Sequence, residues 1–161
     1  MNPPARFRDL TDSLESQSDV DEYAHRFDRT TGRMVMVEES ILNAVDDDEE
    51  ALADLPDWQK GEIEVARAIV ADDGMRFIKP PGQFEFHEYR HMQRFIGTVE
   101  DEKAADALWD AIKGKGAFRY FKDTLHRFGL QNQWYAFRAA AMKQFVLDWA
   151  EANGVVVEDA E

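Results

Sequence analysis

The amino-acid sequence predicts an α+β fold, in which about five helices cover a small and mostly antiparallel sheet. Three observations favour this class. Apolar residues alternate in two short segments near the N-terminus, recur every three or four residues through the middle of the chain, and form a short run before the C-terminus. The two alternating segments predict an N-terminal hairpin. A central strand and a C-terminal strand are expected to extend this hairpin into the sheet.

The N-terminal part of the chain combines a predicted tail with the predicted hairpin. Residues 1–18 contain two prolines and show neither a helical nor a strand period, which predicts a flexible tail before a single α+β domain over 19–161. DEYAHRF alternates over 21–27, and the turn residues DRTTG separate it from RMVMVEE over 33–39. His25 lies on the apolar side of this hairpin, where we expect a structural or half-exposed histidine.

Two helices and the central strand are expected between residues 39 and 81. The first helix runs from Glu39 to about Ala53, and Asp57, after Pro56, has the sequence context of an N-cap for the second. MRFIKPP over 75–81 predicts a short strand that ends at two prolines. The second helix is expected to bury its apolar residues at helical spacing, namely Trp58, Ile63, Ala66, Ile69 and Val70.

The rest of the chain predicts four helices and the last strand, GVVVED. The helices run from about Phe86 to Gly97, through 101–112 with a cap at Gly114, through AFRYFKDTLHRFG, and from Asn132 to the Asn-Gly pair at 153–154. After Gly129 the chain can fold Leu130 back on Leu125 in a Schellman cap. The stripes expected in the core are Glu88, Met92, Phe95 and Val99; Ala105, Leu108 and Ile112; Phe118, Phe121, Leu125 and Phe128; and Trp134, Phe137, Ala141, Phe145 and Trp149.

Composition narrows the classes of function. A formal charge of -14 disfavours non-specific binding to nucleic acid or to anionic membranes. Cysteine is absent, which excludes disulfides, thiolate nucleophiles and cysteine-bound zinc. No apolar run is long enough for a membrane span, and the N-terminus lacks the apolar core of a secretory signal, so we expect a soluble, cytoplasmic protein. The acidic stretch over 38–57 predicts a solvated face or, alternatively, a docking segment for a basic partner.

The stretch FEFHEYRHMQRF contains the spacing of a zinc hydrolase. His87 and His91 are four residues apart, and Glu88 stands where the proton shuttle of an H-E-x-x-H motif belongs. However, Arg90 lies inside the motif and Arg94 one turn later, and no third ligand falls in a recognisable pattern. We therefore favour a surface pair of histidines, and a zinc-dependent hydrolase is the alternative.

A second candidate is the basic segment over 113–138, which contains six cations and one acid. Gly114 and Gly116 flank Lys115 where a helix begins, and free backbone N–H groups at such a point favour an anion. Arg138 shares a helical face with Trp134, so we expect it to be partly buried and paired with a carboxylate or with carbonyl groups. The structural alternative is that the two glycines cap one helix and start the next, while the cations pair with the chain's own carboxylates.

If Arg119 and Tyr120 face Tyr135 and Arg138 in space, they form an aromatic, guanidinium-lined pocket suited to a phosphate, a carboxylate or an exposed base. The candidate ligand-binding residues are Lys115, Gly116, Arg119, Tyr120, Lys122, Trp134, Tyr135 and Arg138.

These blocks resemble a bacterial family. GKGAFRYFKDTL and WYAFR, with LPDWQKGEIEVA and FHEYRHMQRFI before them and WAEANG after them, are similar to the uncharacterised protein family UPF0158, over about Pro56 to Gly154. The resemblance implies no established reaction, cofactor or partner, and His87 and His91 lie outside the family's pattern. It implies that the family's motif positions are Glu88, Tyr89, Met92, Phe95, Gly116, Phe118, Arg119, Phe121, Lys122, Asp123, Trp134, Tyr135, Phe137 and Arg138.

Together these features predict a non-enzymatic binding or regulatory module without a cofactor. Its helix pair from Lys115 to Arg138 is expected to contact an anionic small molecule, an acidic protein partner or a nucleic-acid backbone, and no membrane is expected to take part.

Overall fold

A computed structural model describes residues 2–17, 22–47 and 49–159. Over these residues the fold is α+β, as predicted, with two small sheets and with eight α-helices in place of the predicted five or so. The strands are β1 (Ala5–Arg6), β2 (Tyr23–Asp28), β3 (Arg33–Glu38), β4 (Phe77–Ile78) and β5 (Val157–Glu158). The helices are α1 (Phe7–Ser16), α2 (Glu39–Asp47), α3 (Lys60–Ala71), α4 (Gln83–Phe86), α5 (Glu88–Ile96), α6 (Glu102–Ala111), α7 (Ala117–Arg127) and α8 (Gln131–Ala152).

The chain divides into two compact units. The first comprises the chain up to Gln83 and from Val146 onward, and the second comprises Phe84–Phe145. Helix α8 belongs to the second unit up to Phe145 and to the first unit from Val146. Compact units of this kind also occur within one domain, so a single domain over 19–161 stays a prediction.

The predicted N-terminal hairpin is confirmed. Strands β2 and β3 pair in antiparallel fashion, with Phe27 opposite Met34, and β4 pairs with the other edge of β2 to give the order β3-β2-β4. In the turn, the backbone N–H and the hydroxyl group of Thr30 both donate to Asp28 Oδ1, at 3.0 and 2.7 Å. Gly32 closes the turn with a left-handed φ of 71°, a conformation that glycine adopts readily. The short central strand predicted over 75–81 is also confirmed, since β4 lies within it and pairs with β2.

The prediction for residues 1–18 is wrong in its local structure. Instead of a stretch without periodic structure, residues 7–16 form helix α1, in which Leu10 and Leu14 are buried one turn apart. Phe7, Leu10 and Leu14 do follow the helical spacing of three and four, but the prediction gave more weight to the two prolines and the polar residues around them. Residues 1 and 18 lie outside the described part of the chain.

The C-terminal strand exists, but the single sheet predicted for it does not. Strand β5 pairs in parallel with β1, Ala5 opposite Val157, in a separate two-stranded sheet. Its partner β1 lies in the segment predicted as a tail. Because no strand was expected there, β5 was predicted to join the hairpin sheet. The prediction of one mostly antiparallel sheet is therefore corrected to two small sheets, of which the three-stranded one is antiparallel.

The acidic stretch folds as several short pieces. Helix α2 ends at Asp47 and a 3₁₀ helix follows over Glu49–Asp54, in place of one helix from Glu39 to about Ala53. Asp57 does not cap α3 but begins a short 3₁₀ helix, Asp57–Gln59, and α3 starts at Lys60. That shift leaves Trp58 75% exposed instead of in the core. The core here consists of Val37, Ile41, Leu52 and Ala66.

The second unit has an aromatic core that mostly follows the predicted stripes. Phe95, Phe121 and Trp134 meet edge to face, with ring centroids 5.0–6.4 Å apart. Phe118 is wrong as a core residue, since it is 52% exposed and Ala117 is buried on that turn of α7 instead. The predicted Schellman cap is confirmed, because Gly129 has φ 68° and the Leu130 N–H donates to the Leu125 carbonyl at 2.9 Å.

Candidate functional site

His87 lies outside the helix on which the zinc motif was predicted. Its backbone has φ 59° and ψ 64°, a left-handed conformation that is uncommon for a residue other than glycine, and it separates α4 from α5. Helix α5 therefore begins at Glu88, not at about Phe86. Two histidines one turn apart on one helical face, as an H-E-x-x-H zinc site requires, are consequently not formed by His87 and His91.

Glu88 is engaged by a cation. Its two carboxylate oxygens accept hydrogen bonds from Arg138, Oε1 from Nε and Oε2 from Nη2, the latter at 3.1 Å. Both side chains are mostly buried, with 32% and 24% of their surfaces exposed, and the Arg138 guanidinium lies 5.9 Å from the centre of the Phe86 ring. The prediction that Arg138 is partly buried and paired with a carboxylate is confirmed. A two-point pair of this kind fixes Glu88 as a structural anion.

His91 packs against an aromatic ring. Its imidazole stacks on Phe86 with ring centroids 4.4 Å apart, and its Nδ1 is buried without a hydrogen-bond partner among the described residues. Burial lowers the pKa of His91 because it penalises the imidazolium form. A hydrogen bond to the Phe86 backbone and the Glu88 carboxylate raise the pKa in part, while the nearby Arg94 and Arg90 lower it further. A neutral histidine at this position serves packing first.

The three residues of the zinc motif therefore serve three different purposes. His87 makes a turn, Glu88 binds Arg138, and His91 stacks on Phe86. Within residues 2–17, 22–47 and 49–159, no three His, Asp or Glu side chains come together as a group that could hold a metal ion. The geometry thus gives no support to the hydrolase alternative.

The start of α7 is built around two left-handed glycines. Gly114 has φ 81° and Gly116 has φ 77°, and Gly116 occupies the N-cap position of α7. A Cβ atom on Gly116 would lie 3.0 Å from the Tyr120 ring, so the glycine lets this ring fold against the backbone. Arg119 in turn lies 5.1 Å from the centre of the Tyr120 ring. The Tyr120 ring therefore packs against Gly116 and lies near the Arg119 guanidinium at the exposed start of the helix.

The candidate ligand-binding residues fall into two groups. Lys115, Gly116, Arg119, Tyr120, Lys122 and Tyr135 are exposed. Trp134 is 2% exposed in the core of the second unit, and Arg138 is occupied by Glu88, so both contribute to the fold. The joint pocket of Arg119, Tyr120, Tyr135 and Arg138 stays a prediction.

An exposed residue was missing from the sequence-based set. Phe118 was assigned to the core, but it projects from α7 beside Arg119 with half its surface in solvent. We define the α7 surface as Lys115, which lies just before the helix, with Phe118, Arg119, Tyr120 and Lys122 on its first turns; the exposed Asp123 follows them on the same helix. The three cations of this surface have no carboxylate partner in the part of the chain that the structure describes. Pairing with the chain's own acids is thus observed for Lys113, whose Nζ lies 3.3 Å from Asp110 Oδ1, and for Arg138, but not for these three cations.

The charge of the chain is unevenly divided between the units. Residues 84–145 contain ten Lys and Arg and eight Asp and Glu, a formal charge of +2, whereas the whole chain carries -14. The negative charge thus belongs to the first unit, and the α7 surface lies in the only one of the two units with a positive balance.

None of the described helices combines the length and the apolar character that crossing a membrane requires.

Sequence similarity connects the chain to uncharacterised proteins. The family model described as "Uncharacterised protein family (UPF0158)" matches residues 4–160. A UPF0158 protein of Pseudomonas aeruginosa is 31% identical over 65 residues, which are 40% of this chain and 42% of that protein. The alignment thus spans less than half of the relative's length. No solved structure matches the chain.

Proposed function

The chain belongs to the uncharacterised protein family UPF0158, and from this premise we propose that it is a binding protein whose α7 surface contacts an anionic partner. One observation carries the proposal: at the start of one helix of an acidic chain, cations that have no carboxylate partner among the described residues alternate with exposed rings. Carboxylates are abundant in this chain, with 33 Asp and Glu, so cations left without them on a helix are available to another molecule.

The exposed rings favour a single-stranded nucleic acid among the anionic partners. Phe118 and Tyr120 expose about half of their surfaces beside Lys115, Arg119 and Lys122. Proteins that bind single strands combine cations that follow the phosphates with aromatic rings on which bases stack. A simple phosphate or an acidic peptide would use the cations and leave the rings idle, so the rings are the feature that separates these partners.

The test measures binding of a fluorescently labelled single-stranded oligonucleotide by anisotropy at several salt concentrations. We expect the affinity to fall steeply with salt, and Lys115→Gln and Lys122→Gln each to reduce the slope of log K against log salt by about one. Phe118→Ala should weaken binding at every salt concentration by a factor of about 5 to 100, because stacking does not depend on counterions.

Matched controls come from the same chain. Lys103→Gln removes an exposed cation from α6, and Trp58→Ala removes an exposed ring from the first unit, so neither should change the binding. An affinity that these controls reduce as much as Lys122→Gln and Phe118→Ala would refute the α7 surface. Equal competition by inorganic phosphate or by an oligoglutamate peptide would leave an anion site and reject the nucleic acid.

A further inference from the structure

A second site is suggested by a cavity in the first unit, between α1, the hairpin and the Pro3–Pro4 segment. Its volume is about 770 Å³, within the range of small-molecule sites. One end is formed where the Gly32 turn approaches the Pro3–Pro4 backbone so closely that a Cβ atom on Gly32 would lie 2.5 Å from the Pro4 carbonyl oxygen. The cavity is therefore bounded by backbone as well as by side chains.

Helix α1 turns an unusual face to this cavity. Asp9, Asp12, Ser13 and Ser16 all line it, and they follow the i, i+3, i+4, i+7 spacing of a single helical face. In most helices packed on a sheet such a face is apolar. Here it carries two carboxylates and two hydroxyl groups, while Leu10 and Leu14 are buried.

The Ser13 hydroxyl group is the strongest evidence for a ligand on this face. The residue is only 8% exposed, and its hydroxyl group is buried without a hydrogen-bond partner in the described part of the chain. The neighbouring Ser16 hydroxyl donates to the Ser13 carbonyl and not to its side chain. Buried hydroxyl groups are nearly always hydrogen-bonded, so an unpaired one that lines a cavity indicates a missing polar partner.

The charges around the cavity include one carboxylate and one guanidinium that form no ion pair within the described part of the chain. Asp9 is half-buried on α1, Arg33 is exposed at the start of β3, and neither forms an ion pair among the described residues. The other charged groups are better supplied, because Arg6 lies 3.9 Å from Glu158 and Arg8 lies 4.0 Å from Asp12. A ligand that satisfies both free groups carries an ammonium group and a carboxylate.

The sheet contributes an apolar surface to the same cavity. Met34 and Met36 line it from β3, and Met36 is 53% exposed although it is a large apolar residue. Methionine side chains are flexible and polarizable, and they adapt to apolar groups of different shape. This surface suits the side chain of a ligand whose charged ends are held elsewhere.

We propose that the cavity binds a small zwitterion of the amino-acid type with an apolar side chain, either a free amino acid or a short peptide. Asp9 binds its ammonium group, Arg33 binds its carboxylate, and the Ser13 hydroxyl makes a hydrogen bond to its polar part. Met34 and Met36 contact the apolar side chain. This site lies wholly in the first unit and does not depend on the α7 surface.

The proposal is tested by calorimetric titration of the full chain with leucine, methionine, phenylalanine and leucyl-leucine. N-acetylleucine lacks the ammonium group and leucinamide lacks the carboxylate, so we expect each to bind at least about tenfold more weakly than leucine. The same loss is expected for leucine with Asp9→Asn and with Arg33→Gln. Lys79→Gln removes an exposed cation of the first unit that does not line the cavity, and it should bind as the unaltered protein does.

Ser13→Ala separates a ligand-binding role from a structural one. Removing an unpaired buried hydroxyl should leave the melting temperature of the free protein unchanged or higher, while the affinity for leucine falls several-fold. A lower melting temperature would show that the hydroxyl has an internal partner, which would overturn the argument. No binding of the four ligands at millimolar concentration, or equal binding of N-acetylleucine and leucinamide, would also overturn the proposal.

Discussion

Glu88 and Arg138 form a two-point ion pair across 50 residues of sequence, next to the Phe86 ring. The pair joins the first turn of α5 to the middle of α8 within the second unit. Because both oxygens of Glu88 are used, its carboxylate acts in folding and not as the proton shuttle of a zinc site. Glu88 therefore has a structural role, although the sequence placed it in a catalytic motif.

The first prediction concerns this pair. Glu88→Gln should lower the free energy of unfolding by roughly 1–3 kcal/mol, because it leaves a mostly buried guanidinium without its anion. Arg138→Gln should cost a similar amount, and the double variant less than the sum of the two. Urea denaturation measures all three, with Glu85→Gln on α4 as the control for loss of an exposed carboxylate. Strict additivity would mean that the two residues do not interact.

The second prediction concerns His91 and pH. Because burial lowers the pKa of His91 below its usual 6.5, the unfolded chain binds this proton more readily than the folded one. The stability that the neutral imidazole provides is therefore complete above pH 6.5 and is lost as the pH falls below it. His91→Phe keeps a ring against Phe86 and should flatten the decline of unfolding free energy below pH 6.5. An unchanged slope would show that His91 is not the group responsible.

The third prediction addresses zinc directly. Protein purified without an affinity tag should contain zinc well below one ion per chain, because His87 is off the helix and Glu88 is bound to Arg138. Elemental analysis of the unaltered protein and of His91→Ala makes the comparison. One zinc per chain that disappears in His91→Ala would establish a metal site at this position and restore the hydrolase alternative.

The fourth prediction concerns acid stability. Asp28 is 4% exposed and accepts hydrogen bonds at 3.0 Å from Nε and Nη2 of Arg76. Burial alone would raise its pKa, but the hydrogen bonds from Arg76 and Thr30 outweigh burial and lower the pKa to about 2. The lowered pKa stabilises the fold above the ordinary aspartate value of 3.8, and this is lost as the pH falls towards 2.

The contribution of Asp28 at neutral pH is about 2 kcal/mol, from a pKa shift of nearly two units. Asp28→Asn should lower the unfolding free energy by about that amount at pH 7 and by much less near pH 2. Guanidinium denaturation at both pH values measures the difference, with the exposed Asp73→Asn as the control. An equal loss at both values would assign the effect to the turn and not to the charge.

The sequence predicted the features that depend on neighbouring residues. The cap at Gly129 and Leu130 rests on a glycine that adopts a left-handed φ, and the hairpin rests on alternation around a short turn. Arg138 was predicted to be paired because it shares a face with Trp134. Its partner could not be named, since Glu88 lies 50 residues away and only the packing of α5 against α8 brings them together.

The misplaced residues show where local patterns fail. In α7 the buried stripe of Phe121 and Leu125 can extend to position 117 or 118, which lie four and three residues before Phe121. The small Ala117 is the residue packed in the core, and Phe118 is left in solvent. His87 has no sequence signal for its left-handed backbone, because that conformation is held by the turn between α4 and α5. The cavity between α1 and the hairpin, the α1 cavity, was not predicted, because the sequence did not indicate the helix α1 that lines it.

The last prediction concerns Gly32, where two steric effects can be separated. Its φ of 71° disfavours any residue with a Cβ atom, and that atom would also lie 2.5 Å from the Pro4 carbonyl oxygen. Gly32→Ala should therefore lower the unfolding free energy by roughly 3 kcal/mol, about half from the backbone and half from the displaced Pro3–Pro4 segment. Gly74→Ala is the matched control, because Gly74 has φ 82° but no atom within 4 Å of the added Cβ. It should cost only the backbone part, roughly 1–2 kcal/mol. Equal losses in thermal and chemical denaturation would mean that the Pro3–Pro4 segment moves aside freely and does not form a fixed end of the α1 cavity.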